Sequence, residues 1–260
     1  MYIKIWIPLR NRKEKIMKKI IKFWELAKGN LGAFVLSLVL MGVIIGVAIV
    51  SEMILKKKGI KDKVSSTKKI TIIGMFSALA AVLMYVEFPL WFAPADIYKL
   101  DFSEIPVLIC SFIFGPISGI ICELVKILIK LIIKPTSTAF VGEFANFLIG
   151  CSFVVPASAI YHFKKSRKNA MLGMTVGTIV LAGIGSLLNA LFLLPVFSVF
   201  YGINLDIIVG MGTALNASVN NVFTFAALIV LPFNLIKGVL VSIAVFFVYK
   251  PISSILKVKL

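Results

Sequence analysis

A run of 25 residues, LGAFVLSLVLMGVIIGVAIVSEMIL (31–55), holds a single ionisable side chain, Glu52. As a helix rising ~1.5 Å per residue, it is long enough to cross the ~30 Å hydrocarbon layer of a bilayer with some tilt. Further apolar segments follow: ITIIGMFSALAAVLMYV (70–86), a short one over 105–114, ISGIICELVKILIKLII (117–133), FANFLIGCSFVVPASAIYHF (144–163), MLGMTVGTIVLAGIGSLLNALFLL (171–194) and PFNLIKGVLVSIAVFFVYK (232–250). With 60% of residues hydrophobic and 15% charged, a soluble domain has no way to hide this much apolar surface. The chain therefore reads as an all-α polytopic membrane protein. Six helices occupy 70–250, and one extra N-terminal hydrophobic helix occupies 31–55. The stretch 196–231 reads as an outer connection, part of it helical and buried against the bundle.

The formal net charge of +17 does not point to nucleic acid. The lysines and arginines fall in runs beside apolar segments, and the sequence shows no RNA- or DNA-binding module. KKKGIKDKVSSTKK (56–69) carries seven lysines against Asp62, KKSRK occupies 164–168, and the tail 251–260 adds Lys257 and Lys259. EFPLWFAPADIYKLDFSE (87–104) instead holds Glu87, Asp96, Asp101 and Glu104 against Lys99. By the positive-inside rule the basic linker 56–69 and the C-terminal tail are cytoplasmic, and 87–104 faces outside a cell membrane bearing anionic lipid. Residues 1–30, with nine Lys or Arg against Glu14 and Glu25, read as a basic amphipathic segment at the membrane surface. Both flanks of 31–55 are basic, so this segment either crosses against the charge rule or does not fully cross.

Ionisable groups inside a membrane span are costly and mark function when they face a cavity. Glu123, Lys126, Lys130 and Lys134 share one helix face. They read either as an i, i+3 pair with snorkelling lysines or as the wall of a ligand cavity. Lys237 lies only ~8 Å below Pro232 along its helix, and its sequence neighbours Ile236 and Gly238 offer no counter-charge. Asn146 and Asn189 reach a similar depth below the outer ends of their helices. Any one asparagine can be interhelical glue, but three such groups at one depth favour a pocket. Asp101 and Glu104 fit an N-cap and a carboxylate three residues on, with Pro106 in the helix's first turn. The preceding aromatic and proline-rich stretch, with Trp91 at its centre, fits a stiff lid over a flat ligand. In GMFSALAA, Gly74 and Ala78, and likewise Ser77 and Ala81, are small residues at i, i+4. They let a helix approach closely, either inside the bundle or from another membrane subunit.

Cys110, Cys122 and Cys151 lie in apolar segments without a pairing pattern, and His162 is the chain's one histidine. They read as packing residues, with no metal site and no cofactor. The sequence contains no phosphate-binding glycine loop, no His-Glu-x-x-His, no Cys-x-x-Cys and no serine–histidine arrangement. No catalytic constellation is present, so the chain does not read as an enzyme.

Four stretches in fixed order, KLDFSEIPVLICSFIFGPISGIICELVK (99–126), VGEFANFLIG (141–150), SLLNALFLLPVF (186–197) and LPFNLIKGVLVSI (231–243), resemble the substrate-binding S components of energy-coupling factor (ECF) vitamin transporters. Within that family they are most similar to the riboflavin-specific type. The resemblance implies a six-helix bundle that binds riboflavin from outside, or, alternatively, another vitamin or a flavin nucleotide. It further implies association with a shared transmembrane coupling subunit and two ATPases, whose ATP hydrolysis drives release inside. Asn189 and Lys237 match the family's flavin contacts, Leu100 and Asp101 its covering loop, and Asn146 and Lys126 further binding positions. The family's Ala-x-x-x-Ala docking motif corresponds to Gly74 and Ala78. Residues 1–67 lie outside the resemblance.

Overall fold

The computed structural model describes residues 14, 17–18, 20–21, 24–25, 28–57, 65–94, 97–136 and 138–255. Most of the expected surface segment 1–30, residues 58–64 of the linker and residues 256–260 of the tail fall outside these residues. Helix α1 (Leu31–Lys57) is followed by α2 (Ser66–Leu83), a two-residue hairpin of β1 (Phe88–Pro89) and β2 (Lys99–Leu100), α3 (Glu104–Phe114), α4 (Pro116–Ile133) and α5 (Val141–Phe163). Then come α6 (Arg167–Leu188), α7 (Leu194–Tyr201), α8 (Leu205–Leu215), α9 (Val222–Phe225) and α10 (Leu231–Ile255). Five of the resulting rods are long and apolar enough to span a membrane, and the 35-residue rod Arg167–Tyr201 joins α6 to α7. Helix α4 runs alongside them with Glu123, Lys126 and Lys130 on it.

Local chemistry sets the helix ends. Helix α2 starts four residues before the apolar run, because Ser65 accepts a hydrogen bond from Lys68 N at 3.4 Å and caps it. Gly115 takes φ +99° between α3 and α4, a backbone region that costs glycine little, and Pro116 then opens α4. The Asp-x-x-Glu reading of the α3 start is corrected. Ser103 occupies the cap position without a side-chain cap bond, Asp101 Oδ1 accepts from Ser103 N at 2.9 Å, and Glu104 turns to Lys126. The carboxylates are recruited by lysines on distant helices, which no local spacing reveals.

The break expected at Pro195 is absent. A π-turn over Asn189–Leu193 carries the helix through, with Leu194 N–H bonded to Asn189 O. A second π-turn, Ala226–Val230, stands in the same relation to Leu231-Pro232. A proline lacks the N–H that the next helical bond needs and crowds the preceding turn. One widened turn just before it accommodates both defects. The stretch 196–231 contributes α8 and α9, whose Ile208, Val209 and Phe225 pack with Val219, Tyr98 and Phe233.

The extra helix α1 traverses the bundle from end to end. Its sequence is apolar all round, but Ser37, Ile44, Ala48, Ser51 and Leu55 form the buried face. They lie against α4, α5 and the π-turn after α6. At one end Phe34 packs 6.2 Å from Phe144 and 6.1 Å from Phe192, ring centroid to centroid. At the other, the Glu52 carboxylate accepts a hydrogen bond at 3.1 Å from Ile117 N, at the first turn of α4. The start of α1 therefore lies at the same end of the bundle as Phe144, and its close lies at the Gly115 turn.

Candidate functional site

One cavity of about 630 Å³ opens among the ends of α2, α4, α5, α6, α7, α8 and α10 and the loop before α3. This size is within the range of small-molecule sites. Ile149, Leu193, Leu194, Ile208 and Phe233 supply apolar wall, and Asn146, Asn189, Asn234, Tyr98 and Thr138 supply polar groups. The three polar residues expected at one depth, Asn146, Asn189 and Lys237, do meet in this cavity, each from a different helix.

Their chemical states differ. Asn189 sits in the π-turn, donating to Gly185 O at 2.7 Å and accepting from Tyr98 Oη at 2.6 Å. Burial pushes the Tyr98 phenol well above its usual range, so it is a neutral donor there. Asn146 and Asn234 have no hydrogen-bond partner among the described residues and offer their amides to the cavity. Asn234 lies three residues before Lys237 on α10, so the two share one helix face. Its place in the quoted LPFNLIKG run was the signal for it.

Lys237 does find a counter-charge. Its Nζ donates to Asp101 Oδ2 at 2.9 Å, across 136 residues of sequence. Burial would push the Asp101 carboxyl up, but the Lys237 and Lys126 ammonium groups and Ser103 outweigh it and hold it down at about 2. Around the rim, Lys130 pairs with Glu143 at 2.5 Å and Lys99 with Glu87 at 3.5 Å. Thr136 and Thr138 also donate to Glu143. All six of these charged residues line the cavity, so its charges cancel in three pairs.

Three expected binding residues stand elsewhere. Leu100 is buried in the hairpin, paired with Phe88, and supports the loop from behind. Trp91 is 88% exposed, borders a separate shallow groove and stacks edge-on against Phe92 at 5.4 Å. The aromatic stretch places Tyr98 against the cavity instead, because β2 follows it directly. Lys126 is 1% exposed and sits behind the cavity wall between Glu104, Glu123 and Ser103.

The two small-residue pairs on α2 separate. Ser77 and Ala81 face inward against the bundle, where Ser77 Oγ meets Cys122 Sγ at 3.3 Å. Gly74 and Ala78 face outward, flanked by exposed Met75, Leu79 and Val82. The cysteines are free and buried, and His162 Nε2 lies 3.1 Å from Ser111 O in the core. No metal-binding group is found among the described residues.

The chain is similar to known proteins over most of its length. The family described as "ECF transporter, substrate-specific component" matches residues 68–249. The chain is 36% identical over 202 residues to the riboflavin transporter RibU of Staphylococcus aureus, covering 76% of this chain and 96% of that protein. It is 32% identical over 177 residues to the riboflavin transporter FmnP of Bacillus subtilis, covering 68% and 87%. A solved structure described as "Structure and mechanism of the S component of a bacterial ECF transporter" is similar with a TM-score of 0.57 at 37% identity, covering 74% of this chain and all but 1% of that one. A helical bundle with a polar-lined cavity and a family match from α2 through α10 lead to one conclusion: this chain belongs to the substrate-specific S components of ECF transporters.

Proposed function

We propose that the chain captures riboflavin in the cavity described above and delivers it inward together with a transmembrane coupling subunit and two ATPases. The observation that carries the reading is the lining itself. Riboflavin has a flat ring with an apolar dimethyl edge, a polar pyrimidine edge and a hydroxylated ribityl chain. Apolar walls with the Asn146 and Asn234 amides unengaged, and Asn189, Lys237 and Asp101 close by, suit such a ligand. The names of the relatives support the same choice. The cavity's charges cancel pairwise, which favours an uncharged flavin over its phosphate ester.

In this reading the cavity faces outside, and the Gly115 turn and the C-terminal tail lie in the cytoplasm of the cell membrane. Gly74 and Ala78 form the close-approach face for the coupling subunit. The decisive experiment is the visible absorbance of detergent-purified protein from cells supplied with riboflavin. Near-equimolar flavin that survives washing supports the assignment. A colourless protein that also ignores added riboflavin rules it out, and titration with thiamine, biotin and folate would then identify the vitamin.

A further inference from the structure

The ion cluster behind the cavity wall is not explained by binding or by stability. Lys126 Nζ lies 2.5 Å from Glu123 Oε1 and 3.0 Å from Glu104 Oε1, and it donates to Ser103 Oγ at 3.2 Å. All of these side chains are buried, and Oε2 of both glutamates meets no hydrogen-bond donor among the described residues. Helix α5 makes room for them with Gly150, where a Cβ would stand 2.6 Å from Glu123 Oε1. Buried ion clusters of this kind are often no more stable than apolar residues of the same volume, and their best-attested use is to specify one arrangement.

The arrangement specified here is the loop that completes the cavity. Ser103 is the junction: its Oγ accepts from Lys126, and its backbone N–H donates to Asp101 Oδ1 at 2.9 Å. The other oxygen of Asp101 accepts from Lys237 at 2.9 Å. A continuous chain of polar contacts thus runs from α4, through the start of α3, to the cavity-lining pair on the loop and α10. Lys126 itself does not line the cavity.

We propose that Lys126 is a positioning residue. Held by Glu104 and Glu123, it clamps Ser103, and through Ser103 it sets the Asp101 carboxylate that aims Lys237 into the cavity. This rests on the riboflavin reading only for its binding assay. Loss of the clamp leaves the bundle folded but frees the loop around 98–104, and Lys237 then samples orientations that do not meet the ligand.

The test uses the full chain in detergent micelles. Ser103→Ala removes one contact without stranding a charge. The triple variant Lys126→Met, Glu104→Gln, Glu123→Gln removes the cluster without leaving an unpaired ion. The triple variant is expected to keep its thermal midpoint yet bind riboflavin at least tenfold more weakly, and Ser103→Ala at least threefold more weakly. In an Asp101→Asn background, Ser103→Ala is expected to add nothing further. Without any ligand, amide hydrogen exchange over 98–104 is expected to quicken in both variants while α5 and α6 stay protected. Riboflavin affinity within twofold of the parent in the triple variant, full additivity with Asp101→Asn, or unchanged exchange in the loop would overturn the proposal. Failure of the parent chain itself to bind riboflavin would instead remove the ligand assignment, and the exchange measurement would still decide the positioning role.

Discussion

The Asp101–Lys237 pair can be tested in depth by a double-mutant cycle. The bare Coulomb attraction at 2.9 Å is about 6 kcal/mol at an effective dielectric near 20, before desolvation is subtracted. A better measure of what survives is the Asp101 carboxyl, held at about 2 instead of the ordinary 3.8. That difference corresponds to roughly 2–3 kcal/mol, at about 1.4 kcal/mol per tenfold change in proton affinity, and it is the net of burial against Lys237, Lys126 and Ser103 acting together. Asp101→Asn, Lys237→Met and the double variant would be unfolded in ligand-free mixed micelles. The double variant should cost about 1–3 kcal/mol less than the sum of the two single variants, the coupling expected of two residues in one buried network. The pH dependence has a definite sign. A carboxyl whose folded value is depressed contributes stability that is complete above its unfolded value and lost as pH falls through the folded one. The gap between the parent chain and Asp101→Asn should therefore be equal at pH 7 and pH 5 and shrink between about pH 4 and 2. Additivity of the two substitutions to within about 0.5 kcal/mol, or a gap that widens in acid, would refute the pairing.

Glu52→Ala should lower unfolding stability by about 1 kcal/mol, since it leaves the first turn of α4 without its cap. Riboflavin affinity should stay the same, because the contact lies at the opposite end of the bundle from the cavity. Gly150→Ala should cost about 1–3 kcal/mol by overpacking against the glutamates, read as a lower thermal midpoint. Gly74→Leu with Ala78→Leu should leave stability and riboflavin binding intact and abolish uptake in cells that contain the coupling subunit; normal uptake would place the docking face elsewhere. Riboflavin 5′-phosphate should compete at least tenfold less well than riboflavin, because every lysine lining the cavity is already matched by a carboxylate.

Much of this protein was legible in its residues. Segment lengths and hydropathy identify a helical membrane bundle, because hydrocarbon tolerates few alternatives. The resemblance carried by the four quoted stretches anticipated the family. Depth along helices was enough to bring Asn146, Asn189 and Lys237 to one level, since helical rise converts sequence distance into height. Height, however, does not say which way a side chain points.

Direction is a property of packing, and packing decided the rest. Apolar all round, α1 gives no periodicity from which to choose a face. Its neighbours select Ser37, Ala48 and Ser51, and only their placement shows that the helix runs the full length of the bundle. The same holds for α2, where two identical small-residue spacings diverge into an inward pair and an outward one. Long-range charge pairing is the clearest case. Glu104 suits a local capping role by spacing alone, but Lys126 is brought to within 3.0 Å of it, and a buried ammonium outcompetes a backbone N–H for a carboxylate. Composition, span length and side-chain depth were thus determined by the sequence by itself. Partners and facing were decided only by the tertiary structure, because electrostatic and van der Waals contacts act across space, whatever the separation along the chain.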